Sequence, residues 1–454
     1  MQKNTGFQRQ IRPERVLALG FLALIALGTG LLCLPVATLD GKGLSVFDSL
    51  FTATSAVCVT GLVAVDTGTT FSMFGQGILL TLIEVGGLGF MVFATLVMAL
   101  LGRRLSLKDR MIIRESMNTT TLSGLVRLTK VYGLLALLIE LTGTALLSIR
   151  FVPVYGWGKG LWFSLFHAVS AFCNAGFDLF GNFSSLTSFS GDALVLLTVS
   201  LMVILGGIGF SLMFEVMRCR SGWKGLSLHT RLVLCATGVL LLAGTVFYAL
   251  VEWNNPATLA AHDASATERL LGAFFQSVTM RTAGFNSVDL AGMTGASKLF
   301  SSILMFIGAS PASTGGGVKT TTITVLALLV WSVVRGDNDV NVMGKRVPSD
   351  LLRRALAIVV ISLSVLLTTT VIVAVAEGDR VPFIDLLFEM SSAVATVGVS
   401  AAGTPKLTMV SRAVIIPVMY FGRVGPLTLA LALANKMNNT KNRVKYPEEK
   451  VMIG

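Results

Sequence analysis

Apolar positions along the chain gather into long runs. Val16 to Pro35, Val131 to Ile149, Arg231 to Val251 and Ala355 to Ala376 each approach the roughly 20 residues a helix needs to cross a bilayer. Between such runs lie shorter apolar segments of about 12 to 15 residues that end in glycine, too short to cross and long enough for a re-entrant half-helix. The pattern predicts first helices near 16–35, 131–150, 230–251 and 355–376, and second helices near 72–101, 190–217, 298–334 and 408–433. The implied fold is all-α and polytopic, with eight transmembrane helices and four re-entrant half-helices around one central pore. Non-helical backbone at membrane depth is tolerated only where protein or a water-filled cavity surrounds it.

The glycine segments repeat. LFTATSAVCVTGL (50–62), LFHAVSAFCNAGF (165–177), AFFQSVTMRTAGF (273–285) and LLFEMSSAVATVGV (386–399) each carry a Phe ten residues before the glycine: Phe51, Phe166, Phe274 and Phe388. Gly61, Gly176, Gly284 and Gly398 are separated by 115, 108 and 114 residues. Ala56, Ala171, Thr279 and Ala393 stand five before them, and Gly86, Gly206, Gly308 and Gly422 follow 25, 30, 24 and 24 residues later. Matched copies at one period mark an internal repeat. The resulting division is an N-terminal arm (1–15), repeats at 16–105, 125–220, 229–335 and 350–435, and a C-terminal tail (436–454).

Composition agrees. Only 13% of residues are charged, 53% are hydrophobic and mean hydropathy is +0.77, against about 25% charged in soluble domains. The net charge of +12 is a matter of placement: 25 of the 36 Lys and Arg lie in 1–15, 102–130, 217–231, 334–354 and 435–450. The positive-inside rule puts these segments and both termini in the cytoplasm, as in a multi-pass protein of the bacterial cell membrane. Topology and contact with anionic lipid account for the basicity without nucleic acid. Cys33, Cys58, Cys173, Cys219 and Cys235 show no paired spacing and read as reduced small hydrophobes. The first apolar run reads as a retained helix rather than a cleaved signal.

A glycine at the end of a membrane half-helix accepts φ values that other residues resist, so its neighbours can turn carbonyls toward a common axis. Four such sets replace the hydration shell of a monovalent cation, and the half-helix C-termini add negative partial charge. The candidate ion-binding residues are Val59, Thr60 and Gly61; Asn174, Ala175 and Gly176; Thr282, Ala283 and Gly284; Thr396, Val397 and Gly398. Any one glycine alone reads more readily as a packing contact, and it is the four in matched contexts that reverse the reading in favour of a filter. Asp66, Asp178 and Asp289 follow three of them, either as an outer ring that concentrates cations or as loop carboxylates bound to backbone amides.

The third inner helix breaks the pattern at GASPASTGGGVKTTT (308–322). Gly308, Ala309, Ser310, Pro311, Ala312, Ser313, Thr314, Gly315, Gly316 and Gly317 cannot sustain a helix. They read as an intramembrane loop, either a gate below the filter or a static kink. Lys319 ends the loop, and Arg423 sits at the equivalent point of the fourth repeat. Intramembrane charges are costly and mark function by default. Arg423 is expected to bind the loop's carbonyls and hold a closed state, or to cap broken-helix carbonyls. Arg281 is expected to face away from the pathway.

The segments VTGL, NAGFD, RTAGFNS and ATVGV, with GASPASTGGGVKTTT and GRVGPLT, resemble the Trk/Ktr/HKT superfamily over nearly the whole chain. The tail VKYPEEKVMIG and the eight-helix pattern are similar to the KtrB-type subunit. The resemblance implies a homodimer with one potassium pathway per subunit. It also implies a cytosolic octameric nucleotide-binding ring of KtrA type, with ATP and ADP acting on that partner, and sodium-stimulated uptake. It maps the filter glycines to Gly61, Gly176, Gly284 and Gly398, the gating loop to Gly308–Gly317 and the gating arginine to Arg423. In relatives, glycine at the first filter position goes with potassium selectivity, and serine there accompanies sodium transport.

Two other classes fit less well. A secondary transporter for sodium or another small solute would show inverted repeats and coupling carboxylates, whereas these repeats run in one sense and Glu84, Glu140, Glu215 and Glu389 form no motif. An enzyme would need clustered nucleophiles or metal ligands, while His167, His229 and His262 stand apart. No enzymatic activity and no covalently bound cofactor are expected, and potassium is the substrate.

Overall fold

The computed structural model describes residues 13–89, 125–219, 221–261, 264–337 and 339–426, with isolated positions 92, 93, 95, 96 and 428. The predicted tail, most of the N-terminal arm and most of the basic segment 102–130 fall outside the described residues, as do the predicted ends of the first and fourth inner helices.

Fifteen α-helices occur among the described residues. The first repeat holds α1 (Pro13–Leu32), α2 (Val46–Val57), the single turn α3 (Thr67–Thr70) and α4 (Met73–Leu88). The second holds α5 (Leu125–Tyr155), α6 (Trp157–Phe172), α7 (Ala193–Ile208) and α8 (Phe210–Arg218). In the third are α9 (Leu228–Val251), α10 (Ala266–Thr279), α11 (Gly295–Phe306) and α12 (Thr320–Arg335). The fourth has α13 (Ser349–Glu377), α14 (Phe383–Ala395) and α15 (Met409–Val424). A two-residue hairpin, Asn341–Val342 with Lys345–Arg346, sits between the third and fourth.

Among the described residues, four helical spans are long and apolar enough to cross a membrane: Arg15–Leu32, Thr129–Tyr155, Leu228–Val251 and Ser349–Arg380. Their outward faces carry exposed leucines and valines, such as Leu19, Leu134, Leu141, Leu242 and Leu367, as lipid contact requires. The second helices differ from a simple span. α7 and α8 meet at Gly209 with a bend of 95°, and α11 and α12 are parted by residues 307–319. In the first, second and fourth repeats the helix ends at Gly89, Gly209 and Gly425, each with positive φ, three residues beyond the repeated glycines 86, 206 and 422.

Packing runs around the molecule in chain order. Each long first helix packs on its own short helix: α1 on α2, α5 on α6, α9 on α10, α13 on α14. Each second helix also touches the short helix of the next repeat: α4 meets α6, α7 meets α10, α11 meets α14, and α15 returns to α2. The repeated Phe51, Phe166 and Phe388 are fully buried at these junctions, while in the third copy the buried ring is Phe275, one residue after Phe274.

Candidate functional site

The four glycine segments share one backbone path. Each short helix ends, a non-glycine residue takes positive φ, and two residues later the glycine does so too. The pairs are Val59 (56°) and Gly61 (91°), Asn174 (60°) and Gly176 (67°), Thr282 (75°) and Gly284 (86°), Thr396 (51°) and Gly398 (98°). Positive φ in valine and threonine is held only where the surroundings over-determine it. Part of that hold is visible. Thr60, Ala175 and Val397 donate backbone N–H to the carbonyls of Ser55, Ser170 and Ser392, each at 2.8 Å. The Ser55 and Ser392 hydroxyls also accept from Gly61 N and Gly398 N at 3.0 Å.

The segments close a ring. A Cβ added to Gly61 would overlap Ala175 O, and one on Gly398 would overlap Thr60 O. One on Gly176 would lie 2.9 Å from Ala283 O, and one on Gly284 would lie 2.7 Å from Val397 O. Every glycine therefore abuts the residue preceding the next segment's glycine, in the order first, second, third, fourth and back to first. The twelve candidate residues come together as three successive backbone positions of this ring.

Glycines 86, 206 and 422 have a distinct place. Each lies against a carbonyl near the end of a short helix, those of Val57, Phe172 and Val394, closely enough that a side chain would collide. Gly308 departs and instead abuts Gly316 O.

The segment after α11 folds back directly beneath the ring. An added Cβ on Gly315 or Gly316 would collide with the hydroxyls of Thr282 or Thr396. Ile307 bridges Val318, and Ala309 N donates to Gly316 O at 3.3 Å. Ser310 N and Thr314 N donate to Gly207 O and Gly206 O (3.0 and 3.2 Å), and Phe210 N donates to Ala312 O (3.1 Å). The broken end of α7 thus satisfies the loop's backbone, and the loop satisfies the start of α8. With its amide oriented to donate to Thr314 Oγ1 (3.3 Å) and accept from Thr282 Oγ1 (3.1 Å), Asn174 ties the second segment to the third and to the loop.

Arg423 bridges the loop to the first repeat. Its Nη1 donates to Thr314 O, and its Nη2 donates to Gly86 O and, at 3.0 Å, to Gly87 O. It thus contacts a loop carbonyl and carbonyls at the end of a broken helix at once. Lys319 Nζ donates to Gly315 O at 2.7 Å. Arg423, Lys319, Ser313 and Tyr132 line a cavity of about 350 Å³ on the side away from the glycine ring. Arg281 is buried behind the third segment, among Val203, Thr237 and Ala309.

The three acids all accept backbone amides. Asp66 takes Asn182 N (2.8 Å) and Phe183 N (3.3 Å), Asp178 takes Phe180 N (3.2 Å) and Asp289 takes Ala291 N (3.0 Å). In the fourth repeat, which lacks such an acid, Glu389 of α14 accepts from Ser400 and Thr404 hydroxyls (2.6 and 2.5 Å). His167 stands at the matching position of α6, nine residues before its glycine. It hydrogen-bonds Phe163 O through Nδ1 (2.7 Å) and accepts Leu179 N through Nε2 (3.3 Å), which makes Nδ1 the protonated nitrogen.

Several supporting residues were not singled out from the sequence. Ser55, Ser170 and Ser392 recur six residues before their glycines, a signal readable in the alignment of the four copies. Glu252, Glu377 and Lys298 gave no local signal, because their partners lie 42, 31 and 87 residues away.

A family model described as TrkH, a cation transport protein, matches residues 20–445. The chain belongs to the TrkH cation transport protein family. Among relatives of this TrkH-family chain, the Ktr system potassium uptake protein B of Bacillus subtilis is 42% identical over 97% of each chain. The protein of the same description from Vibrio alginolyticus is 40% identical over 97% of this chain and 94% of that one. The potassium/sodium uptake protein NtpJ of Enterococcus hirae is 37% identical over 98% of each. The crystal structure of the potassium transporter TrkH from Vibrio parahaemolyticus aligns with a TM-score of 0.71 at 18% identity, covering 95% of this chain and 86% of that one. That likeness establishes the shared fold.

Proposed function

We propose that this chain carries potassium into the cell as the channel-like membrane subunit of a Ktr-type system, with one pore formed by its four repeats. The closed ring of glycine segments carries this reading. Backbone carbonyls at three successive levels (Val59, Thr60, Gly61 and their counterparts) take the place of the ion's water. The short helices direct their negative ends toward the ring. Asp66, Asp178 and Asp289 lie on the loops that follow and raise the local cation concentration. The two relatives named as potassium uptake protein B support potassium as the ion, and Gly61 is the residue expected for it.

The loop Gly308–Gly317 is the gate. It lies across the axis below the ring, and Arg423 holds it to the first repeat in the closed state, with Lys319 bracing it from within. Release of these contacts opens the path to the cavity below. On this reading the basic segments and both termini face the cytoplasm, and the pore subunit pairs as a homodimer. A cytosolic octameric KtrA-type ring, responding to ATP and ADP, biases the gate, and sodium stimulates uptake. The description of the Enterococcus relative as a potassium/sodium uptake protein favours sodium as the second ion to consider.

The test is growth of a potassium-uptake-deficient bacterium at limiting potassium, with and without a co-expressed regulatory ring subunit. Rescue by the wild type that disappears in Gly61→Asp supports the pathway. A well-inserted protein that rescues in neither setting contradicts potassium, and sodium flux is then measured.

A further inference from the structure

Behind the second glycine segment three side chains meet that the ion pathway does not use. Glu84 lies on α4, Glu140 on α5, and Cys173 caps α6 one residue before Asn174. One ligand atom from each lies within 4.8 Å of the other two, and Cys173 Sγ is 3.3 Å from Glu84 Oε2. Glu140 is only 6% exposed, and its Oε1 has no hydrogen-bond partner. Among the described residues neither carboxylate has an ion-pair partner. Arg423, the cation beside α4, directs its donors to the carbonyls of Gly86, Gly87 and Thr314. Facing carboxylates in such surroundings repel unless a cation or a proton lies between them.

Two carboxylate oxygens and a thiol sulfur are the donor set of a borderline-soft divalent ion. With bonds of about 2.0 Å to oxygen and about 2.3 Å to sulfur, a tetrahedral ion places its donors roughly 3.3–3.6 Å apart. The Cys173–Glu84 spacing already meets that requirement, and the remaining separations are within 4.8 Å. An entry path is also present. A Cβ added to Gly87 would stand 2.6 Å from Cys173 Sγ, and Gly87 itself lines the 350 Å³ cavity.

We propose that Glu84, Glu140 and Cys173 form a binding site for a thiophilic divalent cation of the Zn²⁺ class, entered from the cavity, with water as the fourth ligand. Binding releases the thiol proton to solvent as the thiolate forms. The ion joins α4, α5 and the end of α6, and so fixes the Gly86–Gly87 turn that Arg423 grips. It therefore holds the closed arrangement and lowers flux. That consequence rests on the potassium-pore reading, whereas the binding itself does not.

The experiment titrates Cd²⁺ into the purified full chain carrying Cys33→Ser, Cys219→Ser and Cys235→Ser, which removes the thiols that are not fully buried. Binding is followed by the cadmium–thiolate charge-transfer absorbance and by equilibrium dialysis with elemental analysis. One equivalent with the absorbance band is expected. Adding Cys173→Ser abolishes the band, and Glu140→Gln or Glu84→Gln weakens binding by about tenfold or more, since even outer-shell partners of metal ligands cost that much. If Cys173→Ser does not fold, the two glutamine variants decide by their affinities. No bound Cd²⁺, or unchanged affinity in the variants, overturns the site. In proteoliposomes Cd²⁺ should lower Rb⁺ uptake when Cys173 is present and leave it unchanged in Cys173→Ser. Tight binding without any effect on uptake overturns the regulatory consequence. A preparation that takes up no Rb⁺ at all counts against the pore reading, while the dialysis and absorbance still decide the site.

Discussion

At the scale of single residues, small changes in the ring have large effects because its backbones touch. Gly61 has φ of 91° and its α-carbon faces Ala175 O, so a side chain there must push two segments apart. Gly61→Ser should weaken discrimination of potassium over sodium, read as the ratio of Rb⁺ to Na⁺ fluxes, and an unchanged ratio would remove Gly61 from the selectivity machinery. Arg423 makes three charge-assisted bonds to carbonyls on two repeats. Such bonds are worth about 1.5–3 kcal/mol each, so Arg423→Ala should raise flux in the absence of a regulatory ring by about tenfold or more. Lysine should restore little, because a point charge cannot fork between Thr314 and the Gly86–Gly87 turn. Glycine positions were legible in the sequence because their backbone requirement repeats at one period. The convergence of Glu84, Glu140 and Cys173 was not, since helix rotation and separations of 56 and 89 residues leave no local trace.

At the scale of elements, the third and fourth repeats share a capping device that no periodicity reveals. Glu377 at the end of α13 accepts Thr408 N and Oγ1 (both 2.8 Å) and the Ser411 hydroxyl at the start of α15. Glu252 does the same for α11 through Thr294 N (3.0 Å) and Oγ1 (2.8 Å). A helix N-terminus welcomes negative charge and a hydroxyl cap, so in these two repeats the long helix fastens the following second helix. Thr408→Ala should cost about 1 kcal/mol, typical of a lost cap, seen as a lower thermal midpoint of the solubilised protein. A larger loss is expected at Lys298, which reaches Asp385 of α14 at 2.6 Å and Ala291 O at 2.9 Å. Lys298→Ala leaves a buried carboxylate alone, at about 3–5 kcal/mol. The double change Lys298→Met with Asp385→Leu should recover most of that stability, and failure to recover would mean that the pair does more than balance charge. Apolar run lengths made the long helices readable. In the second helices the repeated glycines 86, 206 and 422 signal a glycine-rich break in the sequence itself, whereas nothing local shows that the helical bonds lost at the 95° bend at Gly209 pass to the loop of the third repeat.

At the scale of the whole molecule, four unequal copies make one closed arrangement. Each second helix reaches the short helix of the next repeat, and α15 closes the circle on α2, helped by Arg412 and Asp48 at 3.1 Å. Among the described residues the third copy alone carries a loop long enough to lie beneath the others, and the second repeat is shaped to receive it through Gly206 and Gly207. Asymmetry of this kind is visible in sequence as a run of glycine, serine and proline, but which repeat accepts the run is not. The central claim is that monovalent cations pass through the ring of glycine segments. Its most direct test is Rb⁺ uptake by the purified protein in liposomes, driven by an internal potassium load, comparing wild type with Gly61→Asp and with a Gly238→Ala control, a helical position whose added Cβ meets nothing within 4 Å. The account predicts uptake in the wild type and the control and none in Gly61→Asp when all three insert equally well. Full uptake in Gly61→Asp would contradict it.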